Sequence, residues 1–138
     1  MRSLILFLFM SLCAGPGLAE DSRELVVLPE RMQVHMLGNM RDHLDALAEA
    51  SELIAEEQWD RAAGVIESRI GMSSLEAHGA EHMAGFMPAP MRAMGTEMHR
   101  AASRLARSIE EAQAPQIFRQ QARVMASCNA CHAQYRVK

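Results

Sequence analysis

Residues 90–112 read PMRAMGTEMHRAASRLARSIEEA, and this stretch decides the fold class. Met91, Met94, Met98, Ala101, Leu105 and Ile109 recur at steps of three or four. That is the period of one face of a helix, whereas a strand would alternate at every second residue. Pro90 stands where a first helical residue has no amide bond to lose. The spacing predicts a helix over about 90–112, and Gly95 within its stripe would let another helix or a cofactor approach closely.

The same period extends to either side. Ala114-Pro115 opens a last helix whose stripe is Ile117, Gln121, Val124, Cys128, Cys131 and Tyr135. On the N-terminal side, Met87-Pro88-Ala89-Pro90 breaks the chain. Before it, Ser73 followed three residues later by Glu76 matches a capping box and predicts a short helix over about 74–85. Its inner stripe would be Leu75, His78 or Gly79, and His82. Pro29 marks the start of a first long helix, about 30–55, with Met32, Met36, Met40, Leu44, Leu47 and Ile54 on one face. A turn at 55–58 leads to a second helix, about 59–70, with Ala62, Ala63, Ile66 and Ile70 inward and Gly71 as its end cap. Four substantial helices, one short segment and short connections predict an all-α protein, an antiparallel four-helix bundle with one short extra helical segment.

Composition agrees with a helical reading and narrows the function. Met1-Arg2, the apolar run Leu4 to Ala14 and the small residues up to Ala19 form the pattern of a secretory signal peptide over 1–19, followed by one domain over 20–138. The run falls short of the roughly twenty residues a bilayer span needs, so no permanent membrane anchor is expected. Leu12 stands before Cys13 where a lipoprotein site would carry a small residue. Losing Arg2 with the leader leaves 13 basic and 17 acidic side chains, which disfavours nucleic acid as a partner. The mature chain keeps four aromatics, Trp59, Phe86, Phe118 and Tyr135, beside ten methionines. Such a chain has a soft interior and no material for a sandwich, a Rossmann domain or a disulfide scaffold.

Chemistry concentrates in residues 128–132, Cys-Asn-Ala-Cys-His. In a secreted chain, C-x-x-C-H reads as covalent attachment of a c-type haem. Residues three and four apart share a helix face. Cys128 and Cys131 can therefore each form a thioether to one haem vinyl group, while His132 reaches the iron as proximal ligand. A structural zinc site would need about two further ligands, and the mature chain has no other Cys. A thioredoxin-like pair would want a βαβ context, which is absent. A disulfide between the two cysteines would leave His132 unexplained. A buried porphyrin would also supply the bulk that few aromatics leave missing.

The motif lies near the C-terminus and runs on as Ala133-Gln134-Tyr135-Arg136. With the Tyr135-Arg136 ending and Gly38-Asn39-Met40 on the first helix, the chain resembles the class II cytochromes c, the cytochrome c′ family and its low-spin relatives. The Gly38-Asn39-Met40 segment looks like that family's Gly-x-Asn-Met with one residue missing. Residues 71–90 depart from the family pattern in their wealth of His and Met. The resemblance implies a four-helix bundle with one haem c per chain near the end of the last helix, held by Cys128 and Cys131 with His132 proximal. It places Arg136, one helical turn beyond His132, at the haem edge. It puts the distal residue on the first helix, where counting back seven positions from Met40 reaches Gln33. Gln is a poor iron ligand, so the neighbouring Met32 is the first candidate for the sixth ligand and Met36 the second. A homodimer through the first two helices stays open.

His35, His43, His78, His82 and His99 remain outside the motif. His78 and His82, at i and i+4 with Met83 and Met87 nearby, offer a second metal site of soft character, although such pairs also arise by chance on helices. The expected function is a periplasmic electron carrier, His/Met ligated, which exchanges one electron with a redox partner protein and is not an enzyme. Two alternatives stand beside it: a five-coordinate haem protein that binds nitric oxide or carbon monoxide, and a copper-handling module. Peroxidase-like chemistry ranks last, because no distal acid–base group is identifiable.

Overall fold

A computed structural model describes residues 20–138; the leader assigned to 1–19, with Cys13, lies outside them. The described residues are all-α apart from one two-stranded ribbon. In chain order they form strand β1 (Glu24–Val26), helices α1 (Glu30–Ala55) and α2 (Trp59–Arg69), a 3-10 turn (Met72–Ser74), helices α3 (Ala80–Ala84), α4 (Ala89–Glu110) and α5 (Ala114–Gln134), and strand β2 (Tyr135–Val137).

The four long helices fall where the periodicity places them. Pro29 is the N-cap of α1 and not its first residue, while Pro90 and Pro115 sit within the opening turns of α4 and α5. Two tight connections each carry one left-handed residue other than glycine, Glu57 (φ 57°) after α1 and Ala112 (φ 51°) after α4. Each reverses the chain within a few residues and sets its two helices side by side.

Helix α4 packs on both α2 and α5, and α1 packs on α2. Between them lies an aliphatic core in which Ile66, Ile70, Leu105, Ile109, Ile117 and Val124 are fully buried. Ala46, Ala50, Ala62, Ala63, Ala101, Ala102 and Ala106 share this core and let the backbones approach closely. A second, separate core is rich in methionine: Met36, Met83 and Met91 are buried with Val26, Leu28 and Tyr135, and Met32, Met40, Met87, Met94 and Cys131 pack against them.

The stripe predicted for α1 breaks at Leu44, although Leu47 and Ile54 further along still pack against the aliphatic core. Steps of four residues advance 400° on a helix, so a 4-4-4 stripe drifts by about 40° at each step. After Met40 the buried side passes to His43, Ala46, Ala50 and Leu53, and Leu44 is left 70 % exposed.

The short helix predicted over 74–85 is broken. Ser73 turns its hydroxyl back to the Glu67 carbonyl (2.8 Å) and carboxylate (2.9 Å) instead of capping toward Glu76. The chain passes through the 3-10 turn and a stretch of turns, and α3 begins only after Gly79, whose left-handed backbone (φ 62°) interrupts helix geometry. Gly71 does follow the C-cap residue of α2, Ile70, but in an extended conformation. It is held there by its amide on the Ile66 carbonyl (2.9 Å).

The two strands had no sequence signal. They pair in parallel with Glu24 opposite Tyr135, Leu25 opposite Arg136 and Val26 opposite Val137. The Leu28 amide donates to the Lys138 carbonyl and the Lys138 amide to the Val26 carbonyl, both at 3.1 Å. This ribbon fastens the segment before α1 to the segment after α5, at the methionine-rich end.

Candidate functional site

A cavity of about 540 Å³ opens at the methionine-rich end, within the range of roughly 300–1,000 Å³ typical of small-molecule and cofactor sites. Its wall is mainly apolar. Helix α1 contributes Met36, Met40 and His43, the segment 75–87 contributes His78, Met83 and Met87, and α4 contributes Met91, Gly95, Met98 and His99. Cys131 and His132 come from α5, and Tyr135, Arg136 and Arg23 from the ribbon and its approach.

The C-x-x-C-H residues all lie on α5, but they do not face identical surroundings. Cys131 and His132 line the cavity, and His132 is exposed. Cys128, half-buried one turn earlier, packs at the edge of the aliphatic core. The two thiols are not joined. Burial pushes both above the usual thiol range, so neither is a ready thiolate at neutral pH. That is the opposite of what a thiol redox couple needs.

Arg136 reaches the cavity by a different route from the one helical spacing suggests. Helix α5 ends at Gln134, and Arg136 is the middle residue of β2, set by its pairing with Leu25. Its Nε stands 3.3 Å from an Asp21 carboxylate oxygen but out of line for a hydrogen bond, and it remains buried without an acceptor. Arg23, which sequence reasoning missed, pairs with Asp21 at 2.8 Å and donates to the carbonyl of His132 at 3.4 Å. Two guanidinium groups thus stand beside the α5 motif. Only tertiary pairing brings Arg23 there, so nothing in its local sequence could have marked it.

Of the two methionines considered as distal ligand, Met36 lines the cavity. Met32 packs in the same methionine cluster but outside the cavity lining. Asn39, from the Gly-Asn-Met segment, donates its amide to the His78 carbonyl at 3.2 Å and ties α1 to the segment before α3. Arg92 donates to the carbonyls of Ala84 (2.8 Å) and Met87 (3.0 Å), holding the other side of that segment.

The histidines separate into two kinds. His82 is exposed and lies on a different surface pocket with Leu75 and Glu76. His78 is buried and joins His43 and His99, with ring centroids 4.9 to 5.7 Å apart. The structure therefore pairs His78 with two partners distant in sequence, not with its i+4 neighbour. Burial lowers the pKa of all three rings, that of His43 to about 4, with the neighbouring rings adding to the effect at His43 and His78. The stripe did hold a signal for two of them. His43 continues Met36 and Met40 at a step of three, and His99 follows Met91 and Gly95 at steps of four.

Among the described residues no group of three or more His, Cys, Asp or Glu side chains stands at coordinating geometry, and no helix is long and apolar enough to cross a membrane. Comparison with known protein families, with curated proteins and with solved structures returns no match.

Proposed function

We propose that the chain is a c-type cytochrome of the class II kind, a four-helix bundle that carries one electron in the periplasm between partner proteins. The observation that carries this reading is the cavity. The helix bearing Cys128, Cys131 and His132 forms one wall of a methionine-lined space of cofactor size. The buried, acceptor-less Nε of Arg136 stands at the same place.

The residues present fit a haem. Cys128 and Cys131 would hold it through thioethers, and His132 would be the proximal iron ligand. When bound, the haem supplies a one-electron iron couple. The protein's part is to set that couple's surroundings. Met36, Met40, Met83, Met87, Met91 and Met98 keep water from the cavity wall with soft, adaptable side chains. Arg23 and Arg136, both paired with Asp21 at the cavity's edge, are the cationic groups that haem propionates would meet, and the Arg136 Nε has no hydrogen-bond acceptor of its own. Met36 is the stronger candidate for sixth ligand, because it lines the cavity and Met32 does not. A thioether there would raise the potential relative to harder ligands.

Absorption spectra of the oxidised and reduced protein test the reading. A low-spin pair of spectra that becomes high-spin and carbon monoxide-binding on Met36→Ala is expected. A wild-type protein that is already high-spin and takes up carbon monoxide would replace the carrier by a gas-binding haem protein. A protein without haem absorption would defeat both.

A further inference from the structure

The three buried imidazoles are more than packing. His43 comes from α1, His78 from the segment before α3 and His99 from α4, and each is at least nine-tenths buried. Two of them, His78 and His99, have a hydrogen-bond partner at Nδ1. His99 Nδ1 lies 2.6 Å from the carbonyl of Ile70, which can only accept, so the proton is on Nδ1 and Nε2 keeps its lone pair. Ser74 donates its single hydroxyl proton to the Gly71 carbonyl at 2.7 Å. The same oxygen also lies 3.2 Å from His78 Nδ1, within hydrogen-bond reach. With the hydroxyl proton on the Gly71 carbonyl, that contact suits a His78 Nδ1–H, which would leave Nε2 for a ligand. The Nε2 of His43 is buried with no hydrogen-bond partner at all. Leaving such an atom unpaired costs about 1–3 kcal/mol.

At His78 and His99 this matches the arrangement that outer hydrogen bonds impose on ligating histidines, with Nδ1 tied to an oxygen and Nε2 left for a metal. The size of the triangle agrees. Metal–nitrogen bonds of about 2.0–2.1 Å in tetrahedral geometry set imidazole centroids roughly 5 Å apart. The observed separations are 4.9, 5.4 and 5.7 Å. The rings are mutually tilted by 56°, 41° and 87° and are not yet at coordinating geometry, so they would turn about their side-chain torsions to close on an ion.

We propose that His43, His78 and His99 bind one transition-metal ion of the imidazole-preferring class, copper or zinc, through their Nε2 atoms. The three neutral ligands leave the fourth tetrahedral position open toward the cavity wall they share, as in sites that keep a position for water or substrate. Ser74 is a positioning residue that meets His78 at Nδ1. The site does not depend on the haem reading.

The test uses the full mature chain titrated with Zn(II) alone and with Cu(II) alone against a competing chelator. One ion per chain is expected, bound at least about 100-fold more weakly by His43→Ala and by His99→Ala, and 10–100-fold more weakly by Ser74→Ala. His82→Ala should bind as wild type. The metal found in protein isolated from its own cells then decides between copper and zinc. Because the histidine variants are core changes, electron paramagnetic resonance of the Cu(II)-loaded wild type provides a second measurement that needs no variant. It should show coupling to three imidazole nitrogens. Failure of the wild type to hold a stoichiometric ion, coupling to fewer than three nitrogens, or loss of binding in His82→Ala would each overturn the proposal.

Discussion

The two ends of the molecule solve the problem of filling space in opposite ways. At one end α1, α2, α4 and α5 close on branched aliphatic side chains and alanines, with Ile66, Ile70 and Ile109 wholly buried. At the other end, bounded by the ribbon and the segment 71–87, methionines and three histidines surround a cavity of about 540 Å³. The first end is close-packed, with stiff side chains interlocked. The second uses flexible, polarisable side chains around a space that they leave open. One chain therefore carries an aliphatic core at one end and a methionine-lined cavity at the other.

The largest expected effect lies in the aliphatic half. Leu105→Ala should lower unfolding stability by about 2–5 kcal/mol, because it removes apolar contact and opens a new void. The midpoint of a urea titration reads this directly. A loss below about 1 kcal/mol would mean that this half is as yielding as the other. Gly71→Ala comes next, at about 1–3 kcal/mol. A Cβ at Gly71 would collide with both the carboxylate and the backbone carbonyl of Glu67, and the backbone atom cannot swing aside. A variant as stable as wild type would show that the junction between α2 and the 3-10 turn can move.

Met36→Leu tests the other half. It keeps apolar volume, so stability should change by less than about 1.5 kcal/mol. Its haem spectrum should nevertheless lose the low-spin signature, since Leu has no donor atom. An unchanged spectrum would move the sixth-ligand assignment to Met32 or another cavity residue. The smallest effect is expected at Arg69, which pairs with Asp42 and, at 2.8 Å, with Glu49 across α1 and α2. The three side chains are partly solvated, 29–48 % exposed, so Arg69→Ala should cost about 1 kcal/mol, and less at high salt. Hydrogen exchange of haem-free protein sharpens the contrast further. Amides of α2 and the middle of α4 should remain protected while those of 71–87 exchange fast.

What could be read from the sequence follows the same division. The four long helices were legible because their apolar residues repeat at the helical period over many turns, as Met91 to Ile109 and Ile117 to Cys131 do. Their ends came within a residue or two, since Pro90 and Pro115 mark them. Residues 71–88 defeated the same logic. Short, glycine-rich and governed by contacts such as Ser73 on Glu67 and Met72 on Ser103 (2.9 Å), their path is decided by tertiary hydrogen bonds and not by period. The ribbon was hidden for a related reason, as three-residue strands at opposite ends of the chain have no pattern of their own. The C-x-x-C-H motif stood out because its chemistry is local. The histidine triangle did not, because residues 43, 78 and 99 meet only once three elements have packed.

The proposed function depends on whether a haem is joined covalently to α5 through Cys128 and Cys131. The most direct measurement is the intact mass of the protein produced in cells with c-type haem maturation, followed by mapping of the peptide that contains residues 128–132. The predicted result is the mature chain plus one haem, with both thiols of Cys128 and Cys131 protected from alkylation. A chain of bare mass with both thiols open to alkylation would contradict it.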